Sequence, residues 1–381
     1  MKRLLTIGHS YVVAANRRLA HEMAVQGKGE WSVTAVAPER YRGDLREITV
    51  EAIPNEASVL ETVPVRFDRV PHVMWYGDGT RSLLAGDWDV VHCWEEPYVL
   101  AAAQVARAIS GRAKLVVGTF QNIDKRYPWP LSAFERRTMT RADGWIAFGR
   151  TVQETLGTRS GYATTPSRVI PPGVDLDRFR AATDEDEQAL RARLGWPASA
   201  PVVGFLGRFV ESKGVRLLLD ALSRSRADWR ALFVGGGPLE RSVRAFATRY
   251  PGRVHVQTDV AHGDVPGWLR GMTMLCAPSQ TTSAWREQFG RMLIEAMASG
   301  VPVIASDSGE MPFVVGDAGV IAGERDVQAW TAAIDRLASD QAEHHRLRTL
   351  GLLRARDEFA WPVVAKAHLA FFDAVRERRT A

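Results

Sequence analysis

Both halves of the chain show the same alternation of short β-branched runs with amphipathic stretches of helical period. In the first half, the runs that predict strands are 4–8, 32–37, 89–92, 114–119 and 144–148. In the second half, they are 202–207, 231–235, 254–256, 274–277 and 301–305. Strands that alternate with helices form parallel sheets covered by helices on both faces. The alternation therefore predicts an α/β fold with two doubly wound, Rossmann-like domains.

A segment rich in proline and glycine separates the two halves. It runs from Val169 to Phe179 and contains two prolines and a glycine in succession at 171–173. Proline removes a backbone donor and disfavours helix at the preceding residue, as expected of a linker. Because 381 residues are enough for two cores, we expect domains over residues 1–170 and 171–358 with a cleft between them.

The composition is typical of a soluble, folded protein, with 46% hydrophobic and 24% charged residues. The first apolar run, Leu4 to Gly8, is short, so it predicts a strand rather than a signal peptide and favours a cytoplasmic protein. Cys93 and Cys276 lie in apolar stretches without metal-binding spacing, which predicts buried thiols. The net charge of +5 is small enough for a solvated surface, and no nucleic-acid partner is expected.

Glycine-rich and basic turns follow two predicted strands of the second half. Gly207, Arg208 and Lys213 follow the first of them, and Gly236 lies in the turn after the next. In open α/β sheets, ligands bind beyond the carboxyl ends of the strands. An arginine fork and a lysine point charge could therefore converge there on a diphosphate. Exposed loop cations and a tight strand-to-helix turn are the alternative interpretations.

Two glutamates flank the start of a predicted helix over residues 289–299, which Gly300 would end. Glu287 precedes this helix and Glu295 lies inside it. A carboxylate before the helix could accept hydrogen bonds from sugar hydroxyls, one on the helix could hold a ribose diol, and free amides at the helix start could face the same ligand. Taken alone, two glutamates at this spacing are more often a surface coincidence.

Polar residues also follow two strands of the first half, where they predict a substrate site. They are His92, Glu95, Gln121, Asn122 and Lys125. A histidine at the end of a strand is often a satisfied core residue, so His92 has this alternative.

Taken in order, these features resemble glycosyltransferase family 4, whose members are retaining enzymes of the GT-B fold. The resemblance rests on Arg208, Lys213, the segment 287–295, the Gly-x-Pro-Val-Ile after it and the Pro-Pro-Gly-Val-Asp linker. It covers nearly the whole chain. It implies that the second domain binds a nucleotide-sugar and the first an acceptor. It also implies that residues 359–381 form a helix that crosses back to the first domain.

The resemblance also implies roles for individual residues. Arg208 and Lys213 would bind the diphosphate and stabilise the charge that develops on it. Glu287 would lie near the donor sugar and Glu295 on the ribose. Glycines and backbone amides would complete the donor site, at Gly8, Gly207, Gly236, Phe289 and Gly290. The chain departs from many relatives in having Gln121 where they carry a histidine, and one glycine, Gly8, where they often have two.

The expected function is retaining transfer of a hexose from a nucleotide-diphosphate sugar to a hydroxyl of a sugar or lipid-linked acceptor, in polysaccharide or glycolipid assembly. The resemblance implies no cofactor or metal, since enzymes of this fold generally use cationic side chains and helix amides instead. The pairs Asp87/Asp89 and Asp175/Asp177 could suggest a metal-binding Asp-x-Asp, but they lie before a strand and in the linker. A nucleotide-sugar epimerase of the same fold and a non-catalytic nucleotide-sugar-binding protein are the alternatives.

A helix over 131–141 carries Arg136, Arg137 and Arg141 around an apolar stripe. It could contact an anionic membrane as a peripheral protein. A solvated helix face is the alternative interpretation.

Overall fold

The computed structural model describes residues 1–42 and 47–378, which form two compact units. The first unit contains residues 1–173 together with the C-terminal segment from Trp361 onward. The second runs from Val174 to Ala360. Each unit contains one large parallel sheet, which confirms the predicted α/β class with two Rossmann-like domains.

The strands of the described residues are numbered in chain order. They are β1 Lys2–Ile7, β2 Trp31–Pro38, β3 Arg40–Arg42, β4 Glu47–Thr49, β5 Val59–Val63, β6 Val65–Arg66, β7 Trp75–Tyr76, β8 Val90–Cys93, β9 Lys114–Thr119, β10 Gly144–Ala147, β11 Ser167–Val169, β12 Val202–Leu206, β13 Arg230–Val234, β14 Val254–Gln257, β15 Met274–Ala277, β16 Val303–Ser306 and β17 Gly319–Ala322.

The α-helices are numbered in the same way. They are α1 Ala14–Gln26, α2 Thr80–Leu84, α3 Leu100–Ala108, α4 Leu131–Arg141, α5 Arg150–Leu156, α6 Asp184–Leu194, α7 Val215–Arg224, α8 Glu240–Arg249, α9 Val265–Leu269, α10 Arg291–Ala298, α11 Met311–Val315, α12 Val327–Ser339, α13 Gln341–Arg354 and α14 Trp361–Glu377.

The sheet of the first unit has the strand order β11-β10-β9-β8-β1-β2-β5, and its neighbouring strands are parallel. From β1 the chain first adds β2 and β5 on one side and then crosses to β8 on the other. The topological switch point therefore lies between β1 and β8, where a crevice forms beyond the strand ends. The antiparallel pairs β3–β4 and β6–β7 lie outside this sheet.

Alternating side chains of β1 belong to two different cores, as the period of a strand requires. Leu5 and Ile7 belong to the core that includes α3. Leu4 belongs to the core that includes α1 and α14. The last helix of the chain thus completes the core of the first unit, and Phe372 of α14 is fully buried there.

The sheet of the second unit has the order β14-β13-β12-β15-β16-β17, again with parallel neighbours. Its switch point lies between β12 and β15. One face packs against α10 through Leu293 and Met297. The other face packs against α7 and α12, which contribute Leu218 and Trp330.

The predicted helix over 289–299 is shorter in the structure, where α10 spans Arg291–Ala298. Gly290 precedes it with φ +84°, a left-handed conformation that ends regular helix geometry at that point. Phe289 and Gly290 therefore lie in the turn before α10 and are not part of the helix.

Candidate active site

The switch point of the second unit is crossed by an ion pair. Lys213, from the loop after β12, places Nζ 2.5 Å from Oε2 of Glu287, from the loop after β15. Ser279 donates a 2.8 Å hydrogen bond to the same oxygen. The side chain of Glu287 is 8% exposed and that of Lys213 is 22% exposed. The carboxylate is thus fixed in the fold, whereas the ammonium group lies nearer the surface.

The predicted partner of Lys213 in phosphate binding, Arg208, lies in the same loop with its side chain exposed. Within the described part of the chain, its guanidinium makes no hydrogen bond or ion pair. Lys213 in contrast is paired with Glu287 and lies 5.0 Å from the centroid of the Trp285 ring. Arg208 is therefore the cation of this loop whose charge no acidic side chain neutralises.

Glycines bring the loops after β12 and β13 into backbone contact. Gly235 has φ +140°, and a Cβ added there would lie 1.9 Å from the carbonyl oxygen of Gly207. The amide of Phe209 donates a 2.8 Å hydrogen bond to the carbonyl of Gly236. By contrast, a Cβ at Gly236 would meet no described atom within 4 Å. Gly235 is thus required by the fold, whereas Gly236 borders open space.

Phe289 and Gly290 differ in what they present to the site. The Phe289 side chain is buried and packs on Phe359, with ring centroids 5.9 Å apart. The backbone N–H groups of Phe289 and Gly290 have no hydrogen-bond partner among residues 1–42 and 47–378. Unsatisfied amides before a helix favour an oxyanion ligand. The geometry thus agrees with a role for these amides and assigns the Phe289 ring to the core.

Glu295, in the middle of α10, is half-buried. Its carboxylate accepts no hydrogen bond from any residue that the structure describes. Burial raises the pKa of Glu295 to about 7, and the charges of Arg291 and Arg178 oppose this shift only in part. Arg178, which donates a hydrogen bond to the carbonyl of His262, was not singled out in the sequence. An unpaired carboxylate of this kind can accept hydrogen bonds from a diol.

In the first unit, the switch point is crossed by a second ion pair. Glu95 follows β8 and His9 follows β1. The backbone amide of His9 donates to Glu95 Oε1 at 2.6 Å, and His9 Nδ1 lies 2.6 Å from Glu95 Oε2. The Tyr76 hydroxyl donates to Oε1 at 2.5 Å. Glu95 was predicted from the sequence, whereas His9 was not, although it lies only two residues after the end of β1.

His92, which was predicted at the acceptor site, lies in the core instead. It is fully buried on β8, where its ring contacts His368 and Phe372 of α14 at centroid distances of 5.6 and 5.3 Å. Burial lowers the pKa of His92 well below its usual value, and His368 adds to this effect. The prediction is corrected because the side chain points to the face that α14 covers and cannot touch a ligand there.

The three polar residues predicted after β9 shape a loop. Gln121 is buried and donates from Nε2 to the carbonyl of Lys125 at 3.2 Å. Asn122 is buried as well, and its carbonyl accepts a hydrogen bond from the Thr155 hydroxyl at 3.1 Å. The side chain of Lys125 is exposed. Gln121 and Asn122 are thus buried and Lys125 is exposed, and contact of these residues with an acceptor stays a prediction.

Gly8 has a packing reason to be glycine. A Cβ there would lie 3.0 Å from Cβ of Trp94 and 3.2 Å from its carbonyl oxygen. The Gly8 amide donates to the carbonyl of Val36 at 3.3 Å. Contact between this turn and donor phosphates stays a prediction.

One aspartate of each Asp-x-Asp pair accepts a hydrogen bond from a backbone amide. Asp89 accepts one from Arg3 at 2.8 Å, and Asp175 accepts one from Asp177 at 3.1 Å. Within the described ranges, no group of three or more His, Cys, Asp or Glu residues is arranged to hold a metal ion. In the same ranges, no helix has the length and apolar character needed to cross a membrane.

Comparison with known proteins agrees with this architecture. A family model described as "Glycosyltransferase Family 4" matches residues 13–178, and one described as "Glycosyl transferases group 1" matches residues 200–340. The Anabaena protein HepE, solved with UDP and glucose, is 18% identical and aligns with a TM-score of 0.72 over 98% of this chain and 100% of its own. Sucrose-phosphate synthase from Thermosynechococcus elongatus aligns with a TM-score of 0.73 at 19% identity, over 98% of this chain and 99% of its own. The fold is therefore that of the GT-B glycosyltransferases.

Two curated relatives are similar to this chain over most of their length. D-inositol 3-phosphate glycosyltransferase of Xylanimonas cellulosilytica is 30% identical over 305 residues, which are 77% of this chain and 70% of the relative. The lipopolysaccharide core biosynthesis mannosyltransferase LpsB of Rhizobium meliloti is 26% identical over 87% of this chain and 99% of its own. The chain belongs to glycosyltransferase family 4.

The close approach of the glycine loops can be tested by a matched pair of substitutions. Gly235→Ala forces a side chain into a left-handed conformation and against the Gly207 carbonyl, and we expect a loss of about 2 kcal/mol or more in the free energy of unfolding. In Gly236→Ala the added methyl group meets no described atom, and the free energy of unfolding should change by about 0.5 kcal/mol or less. Denaturant unfolding of both variants measures the difference. Equal destabilisation would contradict the assignment.

Proposed function

We propose that the protein transfers a hexose, with retention of configuration, from a nucleotide-diphosphate sugar to a hydroxyl group of a sugar or lipid-linked acceptor. The observation that carries the proposal is the cluster at the switch point of the second unit. There Lys213 is paired with Glu287, and Arg208 in the same loop is unpaired among the described residues. Cations beside a fixed carboxylate suit a ligand that joins a diphosphate to a hydroxyl-bearing sugar.

Each part of the donor would find a matching group in the second unit. Arg208 and Lys213 would bind the diphosphate, since both guanidinium and ammonium groups form charge-assisted hydrogen bonds with phosphate. The unsatisfied amides of Phe289 and Gly290 would bind phosphate or sugar oxygens. Glu287 would accept a hydrogen bond from a sugar hydroxyl, and Glu295 from the ribose diol.

The chemistry follows from these contacts. The bond between the anomeric carbon and the diphosphate oxygen breaks, and negative charge develops on the departing diphosphate, where Arg208 and Lys213 stabilise it. The acceptor hydroxyl attacks from the same face and gives its proton to the departing phosphate oxygen. No side chain is then needed as a strong base. Because these cations supply the electrostatic stabilisation, we propose that transfer proceeds without a metal ion.

The relatives suggest donors and a pathway type. One curated relative is named a GDP-mannose-dependent phosphatidylinositol monomannoside mannosyltransferase, and HepE has been solved with UDP-glucose. We propose a place in polysaccharide or glycolipid assembly and take GDP-mannose and UDP-glucose as the first donors to test. An epimerase would convert the donor without an acceptor, and a binding protein would release no nucleotide.

A phosphate role for Lys213 predicts a specific loss of turnover. Lys213→Ala is expected to lower nucleotide release from the active donor at least ten-fold, because the departing diphosphate loses a cation. Arg216→Ala, a nearby exposed cation paired with Glu211, should stay within about two-fold of the unaltered protein.

Removing Lys213 also leaves the buried Glu287 carboxylate without its cation, which destabilises the fold. The double variant Lys213→Ala/Glu287→Gln removes that charge, so its free energy of unfolding shows how much of the destabilisation comes from the unpaired carboxylate, while turnover is compared in folded Lys213→Ala protein. Full turnover in the folded Lys213→Ala protein would refute the phosphate role, and no release by the unaltered protein from any donor would refute the transferase.

The raised pKa of Glu295 predicts that donor binding depends on pH. A diol donates hydrogen bonds best to the ionised carboxylate, so affinity should fall roughly ten-fold from pH 8 to pH 6, through the pKa of about 7. Calorimetry with an intact nucleotide-sugar measures this, because its diesterified phosphates do not titrate in that range. The Glu295→Gln variant should bind the nucleotide-sugar weakly, with an affinity that does not change between pH 8 and pH 6. If the affinity of this variant still falls as in the unaltered protein, Glu295 is not the source of the pH dependence.

We also propose that α4 contacts an anionic membrane peripherally. Arg136 and Arg137 are exposed and, within the described residues, form no ion pair. Trp129, just before α4, is 82% exposed, and aromatic rings with basic side chains are typical of membrane-surface helices. Arg141 does not contribute, because it is bound to Asp143 at 2.8 Å and to the Ala113 carbonyl at 2.6 Å.

Flotation with vesicles tests this contact. The protein should float with phosphatidylglycerol vesicles and not with phosphatidylcholine vesicles. Arg136→Ser/Arg137→Ser should reduce flotation several-fold, since each basic residue near an anionic surface contributes about 1 kcal/mol. Arg241→Ser/Arg244→Ser on α8 is the charge-matched control. Equal loss in both double variants would indicate a general charge effect and remove the role of α4.

A further inference from the structure

The ion pair at the switch point of the first unit has one member with no role in the proposed transfer. His9 begins a short 3₁₀ turn, residues His9–Val12, which is separated from β1 by Gly8 alone. Glu95 follows β8, the strand on the other side of the switch point. A ligand of an open parallel sheet binds in the crevice at this place. His9 and Glu95 therefore lie where a ligand of the first unit is expected.

Glu95 itself is poorly placed to touch a ligand. Its side chain is 2% exposed, and its two oxygens accept three hydrogen bonds, two from His9 and one from Tyr76. A buried carboxylate requires such compensation. Glu95 can thus act on a ligand only through the groups that it holds.

The His9 ring is held on two sides. Nδ1 binds Glu95, and the ring lies 4.9 Å from the ring of Tyr41, centroid to centroid. The side chain is 33% exposed, and Nε2 has no hydrogen-bond partner among residues 1–42 and 47–378. The remaining polar atom of a fixed ring is therefore open to a ligand.

The charges around His9 favour a protonated ring. Burial alone would lower the pKa of His9, but the charge of Glu95, its hydrogen bond and the charge of Glu96 raise it above the usual value. Glu96 itself accepts hydrogen bonds from Thr119 and the Phe120 amide, and burial raises its pKa to about 7. Since two carboxyl groups face one imidazolium, the cluster carries no excess positive charge, which favours a neutral hydroxyl over a phosphate.

We propose that His9 is an acceptor-binding residue that donates a hydrogen bond from Nε2 to a hydroxyl oxygen of a sugar or polyol acceptor. Glu95 is a positioning residue that fixes the ring and its protonation, and Tyr76 fixes Glu95. The inference rests on the proposed transfer, because it assigns the acceptor side of that reaction to the first unit.

Steady-state kinetics test the role. With the donor found active and inositol, mannose and glucose as acceptor probes, His9→Ala should raise the acceptor KM at least ten-fold and leave the donor KM within two-fold. His9→Gln retains an amide donor and should lose less. His345→Ala, an exposed histidine of the second unit, is the control and should change neither constant.

The positioning role of Glu95 has a separate readout. In Glu95→Gln, the side chain can still accept a hydrogen bond but loses its charge, so the pKa of His9 measured by NMR should fall. In the proposed role, the acceptor KM rises when the pH is raised and His9 loses its proton. In Glu95→Gln this rise should therefore begin at a lower pH. A purely structural role for Glu95 would leave that pH unchanged, which would overturn the positioning assignment.

The outcomes distinguish the inference from the proposed function. An unchanged acceptor KM in folded His9→Ala, with donor turnover intact, would overturn the inference alone. No nucleotide release by the unaltered protein from any donor would overturn the transferase itself. If His9→Ala fails to fold, NMR of the unaltered protein decides: the His9 Cε1–H signal should shift on saturation with at least one probe, and no shift with all three would overturn the inference.

Discussion

In each unit a buried carboxylate holds a base across the point where the strand order of the sheet reverses. Glu287 pairs with Lys213 in the second unit, and Glu95 pairs with His9 in the first. Taking a carboxylate out of water is costly unless hydrogen bonds and an opposite charge compensate it. Ser279 and Tyr76 supply additional donors. These pairs therefore fix the loops on both sides of each switch point, and the other groups of each site depend on that placement.

The second unit also contains polar groups outside the Lys213–Glu287 pair that lack partners among the described residues. Buried and half-buried polar groups are normally satisfied within the fold. In the second unit, the half-buried Glu295 carboxylate and the amides of Phe289 and Gly290 are not satisfied by the residues that the structure describes, and the exposed Arg208 guanidinium has no acidic partner among them. Their chemistry differs, with a cation, an acid and two neutral donors. One ligand with phosphates and hydroxyls could satisfy all of them, whereas a simple anion could not satisfy Glu295.

The sequence predicted the elements whose pattern is long and regular. The bounds of α4 and the C-terminal stop of α1 at Gly27 are evident from it, because amphipathic periods and a glycine stop mark them. The short strands β3, β4, β6 and β7 have two or three residues each, too few for a period to appear. His92 and Glu95 are three positions apart, and only the packing of α14 determines that one is core and the other lies at the switch point. His9 could have been found by asking which polar side chain comes first after β1, opposite Glu95.

The two cations of the donor loop are not equivalent. Lys213 is neutralised by a carboxylate 2.5 Å away, so a diphosphate that binds it also approaches Glu287. Lys213, Glu287 and Arg208 together carry one net positive charge, and that charge is the contribution of Arg208. In the proposed donor complex, attraction of the diphosphate at longer range would therefore depend on Arg208. Lys213 would act over short distance, where its remaining N–H groups could bind phosphate while Glu287 holds its position. Because Glu287 is fixed and partly shielded by that ammonium group, it can face a neutral sugar beside the phosphates without repelling them strongly. The pair of His9 and Glu95 in the first unit has the same arrangement, a buried acid and a more exposed base.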